Sequence, residues 1–170
     1  IGNDRGDVLG VPFIVFLAPG LIAMQIIQQA FSHSSSSFMI GKIQGNIVDL
    51  IYAPLSAGEV TLAVTLASVT RSVLIAIISL LVFYLFIDLE IKNFVTLIVF
   101  TLLSAFSLGA LGIIAGLWAE KFDHMATVTN FIIIPLSFLS GTFYSIERLP
   151  EILQVISKAN PFFYMIDGFR

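Results

Sequence analysis

The residues able to do catalytic or metal chemistry are few in this 170-residue sequence, and they stand apart from one another. The two histidines, His33 and His124, have no carboxylate or second histidine at the spacing of a metal-binding helix. Asp123 precedes His124, but one such pair is too few ligands for a catalytic metal. The absence of cysteine excludes disulfides, thiolate metal sites and a cysteine nucleophile. The sequence therefore predicts no catalytic residue, no metal site and no cofactor bound by the chain itself.

Arg71 is the charged residue that interrupts a long apolar stretch. An ionisable side chain inside a membrane span is costly and indicates function by default. A second interpretation is an arginine whose guanidinium extends along the helix to the membrane surface. The sequence leaves both interpretations open.

The composition is that of a membrane protein. Hydrophobic residues make up 58% of the chain and charged residues only 11%, whereas an average soluble domain is about 25% charged. So few charges cannot cover the surface of a soluble domain of this size. The net charge of −3 gives no support for binding nucleic acid.

Long charge-free stretches predict the elements that position these residues. A spanning helix needs about 20 mostly apolar residues, and four stretches qualify, at residues 12–31, 60–87, 94–118 and 126–144. Their apolar runs do not alternate with polar residues, which favours helices over barrel strands. Kinks are expected at Pro19 and Pro135. The predicted fold class is all-α, a polytopic bundle of membrane helices.

The predicted polar connection at residues 32–59 contains a short amphipathic helix at about residues 43–53. Ile43, Ile47, Leu50 and Ile51 recur at helical spacing, and Pro54 ends the helix. One interpretation is a helix that rests on the membrane surface. Such helices usually carry several basic residues, so the low basic content favours docking into a groove of another protein.

Residues 146–168 are too apolar for a free loop and too broken to span. A short amphipathic stretch ends at Asn160 and Pro161, and aromatic residues follow. This pattern predicts a re-entrant hairpin, with an interfacial anchor as the alternative. In the third span, Gly109, Gly112 and Gly116 indicate close helix packing.

Four segments, in their order and spacing, resemble the type 2 permease subunit of ATP-binding-cassette (ABC) exporters. They are FLAPGL at 16–21, GNIVDLIYAPLS at 45–56, FLSGTFYS at 138–145 and NPFFYMIDGFR at 160–170. Together with Leu149 and Pro150 they are distributed across essentially the whole chain. The chain looks most similar to the multidrug, polysaccharide and Nod-factor export group of bacterial permeases.

The resemblance implies a six-span permease domain, of which residues 1–170 would hold the second to fifth spans. Residues 43–53 would be the cytoplasmic coupling helix, which docks on a separate ATPase subunit. The implied coupling residues are Asn46, Asp49, Leu50, Ile51 and Pro54. Residues 146–168 would form re-entrant helices facing outside, and the implied outer-gate residues are Asn160, Pro161, Tyr164 and Asp167.

The resemblance also implies partners and a location. The permease would be a homodimer in the lipid bilayer of the bacterial inner membrane, paired with two ATPase subunits that hold the ATP and Mg. Its substrate would be an extended glycan or lipid-linked polymer, or a small amphipathic molecule. The alternatives are an ion-coupled secondary transporter, which is expected to have intramembrane carboxylates or inverted repeats, and a membrane assembly protein without transport.

Overall fold

The computed structural model describes residues 7–8, 11–86, 94–142 and 150–168. One antiparallel pair of two-residue strands, β1 (Asp7–Val8) and β2 (Val11–Pro12), precedes the helices. The α-helices are α1 (Phe13–Gln44), α2 (Ile47–Tyr52), α3 (Ala57–Phe86), α4 (Phe94–Trp118), α5 (Phe122–Val128), α6 (Ile134–Leu139), α7 (Glu151–Ala159) and α8 (Pro161–Asp167), and a π-helical turn (Thr129–Ile133) joins α5 to α6.

Four helical segments among the described residues are long and apolar enough to cross a membrane, as predicted. They are Val15–Gln44, Ala57–Phe86, Phe94–Trp118 and Phe122–Leu139. The fourth segment combines α5, the π-helical turn and α6, and Pro135 lies in the first turn of α6. A proline removes one backbone N–H donor from a helix. A single π-helical turn is a common form of irregularity inside an α-helix, and here it directly precedes the turn that contains Pro135. The interruption expected at Pro135 is therefore a change of helix type.

Helix α1 is longer than the sequence predicts. Residues 32–44 were expected in a polar connection, but the helix continues from Phe13 to Gln44. The hydroxyls of Ser35 and Ser37 donate to the carbonyls four residues earlier, at 2.8 and 2.9 Å, and Ser36 makes the same type of bond. Because these hydroxyls are satisfied inside the helix, the run of serines does not end it.

Small residues of α4 allow close contact with α1. An ideal Cβ built on Gly112 would lie 2.5 Å from the Phe31 carbonyl oxygen and 3.0 Å from Ser34 Cβ. One built on Gly116 would lie 2.7 Å from the Ser35 carbonyl oxygen. The two distances to carbonyl oxygens are too short for any side chain. The backbones of α1 and α4 therefore meet here because glycine is present.

The third helix of the core, α3, contributes buried hydroxyls to the same contact. Thr65, Ser68 and Ser72 are buried, and Ser68 lies against Gly109 of α4. The Ser68 hydroxyl donates to the Thr65 carbonyl at 2.7 Å, within its own helix. Helices α1, α3 and α4 therefore share a core of glycine, serine and threonine, flanked by buried apolar residues such as Ile26 and Leu108.

The ends of α1 and α4 are joined by Lys42. Its Nζ donates to the carbonyl oxygens of Gly116 at 3.0 Å and Ala119 at 2.9 Å, and also to that of Leu117. These carbonyls lie in the last turn of α4 and one residue beyond it, where a cation is favourable to the helix dipole. The two helices therefore end at one level, next to α2.

Candidate functional site

Helix α2 projects from the bundle between α1 and α3. Gly45 precedes it with φ +77°, a backbone conformation that glycine adopts without strain and that ends α1. Every residue of α2 is half-buried or exposed, and the exposed fractions of Ile51 and Tyr52 are 74% and 84%. The helix is shorter than the predicted residues 43–53, because Ile43 belongs to α1.

The far end of α2 leads into a capping box that starts α3. The backbone N–H of Ser56 donates to Glu59 Oε2 at 2.7 Å, and the backbone N–H of Glu59 donates to Ser56 Oγ at 3.3 Å. This reciprocal pair fixes the first turn of a helix. The Ser-x-x-Glu pattern was readable in the sequence and was not used in the prediction. Helix α2 is thus held between two fixed helix ends.

The five predicted coupling residues all lie in this projecting segment. Asn46 precedes α2, and its Nδ2 donates to Gln44 Oε1 at 3.2 Å. Asp49 and Leu50 are exposed on α2, as is Ile51, and Pro54 is exposed just after it. The structure therefore exposes one carboxylate and two apolar side chains on α2, and as consecutive helical residues they point in different directions.

Helix α1 also presents a polar face that the sequence prediction missed. Gln25, Gln29, Ser32 and Ser36 follow one another at intervals of four, three and four residues, so they lie on one side of the helix. Gln25 and Ser32 are exposed, and the other two are half-buried. Polar side chains at membrane depth generally face a water-filled cavity or another protein surface. The helical spacing of these residues was the signal available in the sequence.

Arg71 of α3 lies beside this polar face. Its Nη1 is 3.1 Å from His33 Nδ1 of α1. The two residues line a cavity of about 270 Å³ with five other residues, all from α1: Gln29, Ser32, Ser36, Ser37 and Ile40. The guanidinium contacts the neighbouring helix α1, and both interpretations of Arg71 stay predictions.

The four predicted outer-gate residues lie at the start and along α8. Asn160 is buried, and its Oδ1 accepts from the Phe162 backbone N–H at 3.0 Å. Its Nδ2 donates to the Leu136 carbonyl oxygen at 2.7 Å, which ties α8 to α6. Pro161 is the first residue of α8, and the side chains of Tyr164 and Asp167 are exposed. Residues 143–149, part of the predicted hairpin, lie outside the described residues.

The titratable residues do not converge on a metal site. Across the described ranges, no group of three or more histidine, cysteine, aspartate or glutamate residues could hold an ion. His33 contacts Arg71, and the ring of His124 lies 5.7 Å from that of Trp118, centroid to centroid. The candidate site is therefore made of two surfaces, α2 and the polar face of α1 with Arg71.

Four membrane-length helices with a short exposed helix between two of them define a polytopic membrane protein. The family model of the ABC-2 type transporter matches residues 4–170. The chain therefore belongs to the ABC-2 type transporter family. This match, together with the inner membrane permease reported next, confirms the predicted permease family, a chain that is not itself an ATPase, and an inner-membrane location.

Named relatives agree with this family. The chain is 33% identical over 170 residues to the inner membrane transport permease YadH of Escherichia coli K12, covering all of this chain and 66% of that protein. It is 27% identical over 177 residues to nodulation protein J of Rhizobium leguminosarum bv. viciae, with 66% of that protein covered. The chain thus spans about two thirds of the length of these relatives. No solved structure matches it.

Proposed function

We propose that the chain forms one half of the translocation path of an ATP-driven exporter and is coupled to a separate ATPase subunit through α2. The observation that carries the proposal is the exposure of the apolar side chains of α2, which lies between two membrane-length helices. Leu50 and Ile51 are exposed beside Asp49, and Lys42, the nearest basic residue, is bonded to α4. An apolar helix face without free basic residues suits a protein groove better than an anionic membrane surface.

The bundle provides a way to transmit movement from α2. Lys42 joins the end of α1 to the end of α4, and glycines bring α4 into backbone contact with α1. The capping box of Ser56 and Glu59 fixes the start of α3. A displacement of α2 by the ATPase would therefore move α1, α3 and α4 together, as a rigid-body rearrangement.

The path itself would lie between two copies of the permease. The polar face of α1, with Gln25, Gln29 and Ser32, is turned away from α4, so it is available to line a water-filled route. In this arrangement two ATPase subunits hold the ATP and Mg, and the permease holds no cofactor. The direction would be export, as in the family that the chain resembles.

Helices α7 and α8 would close the opposite end of the path as an outer gate. The break at Asn160 lets the chain reverse, and the bond from Asn160 to Leu136 holds the pair on the fourth span. Phe162 and Ile166 are buried, whereas Tyr164 and Asp167 are exposed. The latter two side chains are therefore available to a molecule that leaves the path.

The test of coupling is Leu50→Asp in the full-length permease expressed with its ATPase. A carboxylate at the centre of an apolar docking surface would be buried without a partner, so the ATPase should no longer co-purify with the membrane-inserted permease. The control is Lys121→Asp, which places an acid at another exposed site. Lys121 follows α4, at the end of that helix to which Lys42 is bonded. Unchanged co-purification of Leu50→Asp would overturn the proposal.

A further inference from the structure

The cavity between α1 and α3 contains a cation, Arg71, for which the described residues supply no counter-ion. Arg71 Nη1 donates to His33 Nδ1 at 3.1 Å, and a neutral imidazole nitrogen that accepts a hydrogen bond does not neutralise the guanidinium. Helices α1 and α4 contain no aspartate or glutamate. In α3 the acid is Glu59, which is bonded to Ser56 and is 12 residues from Arg71, about 18 Å along the helix.

An unpaired guanidinium at membrane depth is energetically costly unless water or an anion reaches it. His33 lies 11 residues before the end of α1 at Gln44, about 16 Å along the helix. The cavity therefore opens on the side of the bundle, at a depth within the half of α1 that is nearer to α2. A guanidinium has several N–H donors, and the contact with His33 uses one of them.

The cavity wall supplies further hydrogen-bond donors beside Arg71. The side-chain amide of Gln29 and the hydroxyl of Ser32 line the same space of about 270 Å³. The hydroxyls of Ser36 and Ser37 donate to backbone carbonyls, so they are left to accept from water. The volume has room for an anionic group together with several water molecules.

We propose that Arg71, Gln29 and Ser32 form a binding site for a phosphate group. Arginine binds phosphate through paired N–H donors, and neutral donors beside it complete the ligand's oxygen contacts. The inference rests on the proposed function only in placing the cavity on the translocation path. The phosphate would belong either to the headgroup of a bilayer phospholipid or to the transported molecule.

The test measures binding of radiolabelled octyl phosphate to the full-length permease in dodecyl maltoside, a detergent without phosphate, and without ATP. Saturable binding is expected for the wild type, and Arg71→Gln should weaken it about tenfold or more, because charge-assisted hydrogen bonds are lost. Arg71→Lys should fall between the two, since lysine keeps the charge and loses the paired geometry. Equal binding by the wild type and Arg71→Gln, or no saturable binding by the wild type, would overturn the proposal.

Two further comparisons keep this test specific. Leu74→Gln adds the same amide to an exposed position of α3 that lies outside the cavity, and it should bind octyl phosphate like the wild type. Gln29→Leu keeps Arg71 and removes a cavity donor, so it should weaken binding by a smaller factor. Since ATP is absent, a failure of ATPase coupling would leave these measurements unchanged.

The source of the phosphate is identified by measuring octyl phosphate binding with and without added phospholipid. If a phospholipid headgroup occupies the site, nanodiscs with phosphatidylglycerol should compete with octyl phosphate, and native mass spectrometry should find this lipid on the wild type but not on Arg71→Gln. If the transported molecule supplies the phosphate, octyl phosphate should bind equally in the detergent and in nanodiscs with phosphatidylglycerol. Either outcome supports a phosphate site.

Discussion

Helix α1 has two faces rich in polar residues. The inner face, with Ser34 and Ser35, packs against α4, whereas the outer face, with Gln29 and Ser32, borders the cavity. Ser34 and Ser35 are buried against α4, with at most 1% of either residue exposed. Ser32 and Gln29, about one turn away, line an open cavity. The difference comes from glycine. At Gly112 and Gly116 the backbone of α4 contacts the face of α1 that holds Ser34 and Ser35.

The comparison shows that polarity on a membrane helix has two distinct uses. On the inner face, small hydroxyl residues allow backbones to approach, and the Ser35 hydroxyl is satisfied within the helix. On the outer face, larger amides and Arg71 project into space that only water or a ligand can satisfy. Three predictions test whether these faces differ as described.

The largest effect is expected from Gly112→Leu on the inner face. Its Cβ alone would lie 2.5 Å from the Phe31 carbonyl oxygen, a backbone atom that cannot move without shifting α1. We expect a loss of about 3 kcal/mol or more in the free energy of unfolding, as for severe overpacking. Thermal unfolding of the purified permease, followed by loss of monodispersity, measures it.

Ser107→Leu is the matched control, because Ser107 is exposed on the same helix. It should change the free energy of unfolding by less than about 0.5 kcal/mol. If the two leucine variants unfold at the same temperature, the close contact of α1 and α4 is wrong.

The second prediction compares three serine-to-cysteine variants, which is possible because the 170 residues contain no cysteine. A charged, membrane-impermeant maleimide should label Ser32→Cys in the assembled transporter, since its side chain faces the polar cavity. Ser34→Cys should stay unlabelled because it is buried against α4. Ser107→Cys should stay unlabelled in a bilayer, since Ser107 is exposed on a membrane-length helix, where lipid should exclude the reagent.

Labelling of Ser107→Cys at the rate of Ser32→Cys would mean that the outer face of α1 is not set apart from the lipid-facing surface. Labelling of Ser34→Cys would mean instead that the inner face opens to water during transport. The first result would contradict the description of the outer face, and the second that of the inner face. Detergent-solubilised protein, in which Ser107→Cys should be labelled, is the positive control.

The number of membrane helices could be predicted from the sequence because charges mark their ends. Lys92 precedes α4 and Glu120 follows it, and the stretch between them is uncharged. The end of α1 could not be predicted in this way. Ser34, Ser35, Ser36 and Ser37 suggest a loop by type, and only their hydrogen bonds and their contact with α4 show that they continue the helix.

The candidate site was predictable where its residues are neighbours in sequence. The spacing of Ile43, Ile47, Leu50 and Ile51 indicates a short amphipathic helix without knowledge of the fold, and Pro54 marks its end. The pair of Arg71 and His33 is separated by 38 residues, so it depends on how α1 and α3 pack. Predicting the residues that line the cavity requires this contact and the full length of α1. The sequence analysis predicted neither.

The smallest effect is expected from Ser34→Ala, and its sign separates the inner face from the outer one. Within the described part of the chain, the buried Ser34 hydroxyl has no hydrogen-bond partner, so its removal should leave the free energy of unfolding unchanged or raise it by up to about 1 kcal/mol. Ser35→Ala is the matched comparison, since it removes the 2.8 Å bond to the Phe31 carbonyl and should lower the free energy of unfolding slightly. If Ser34→Ala is the more destabilising of the two, a water molecule or another group must satisfy that hydroxyl. In that case the inner face would be hydrated, and the distinction between the two faces of α1 would be lost.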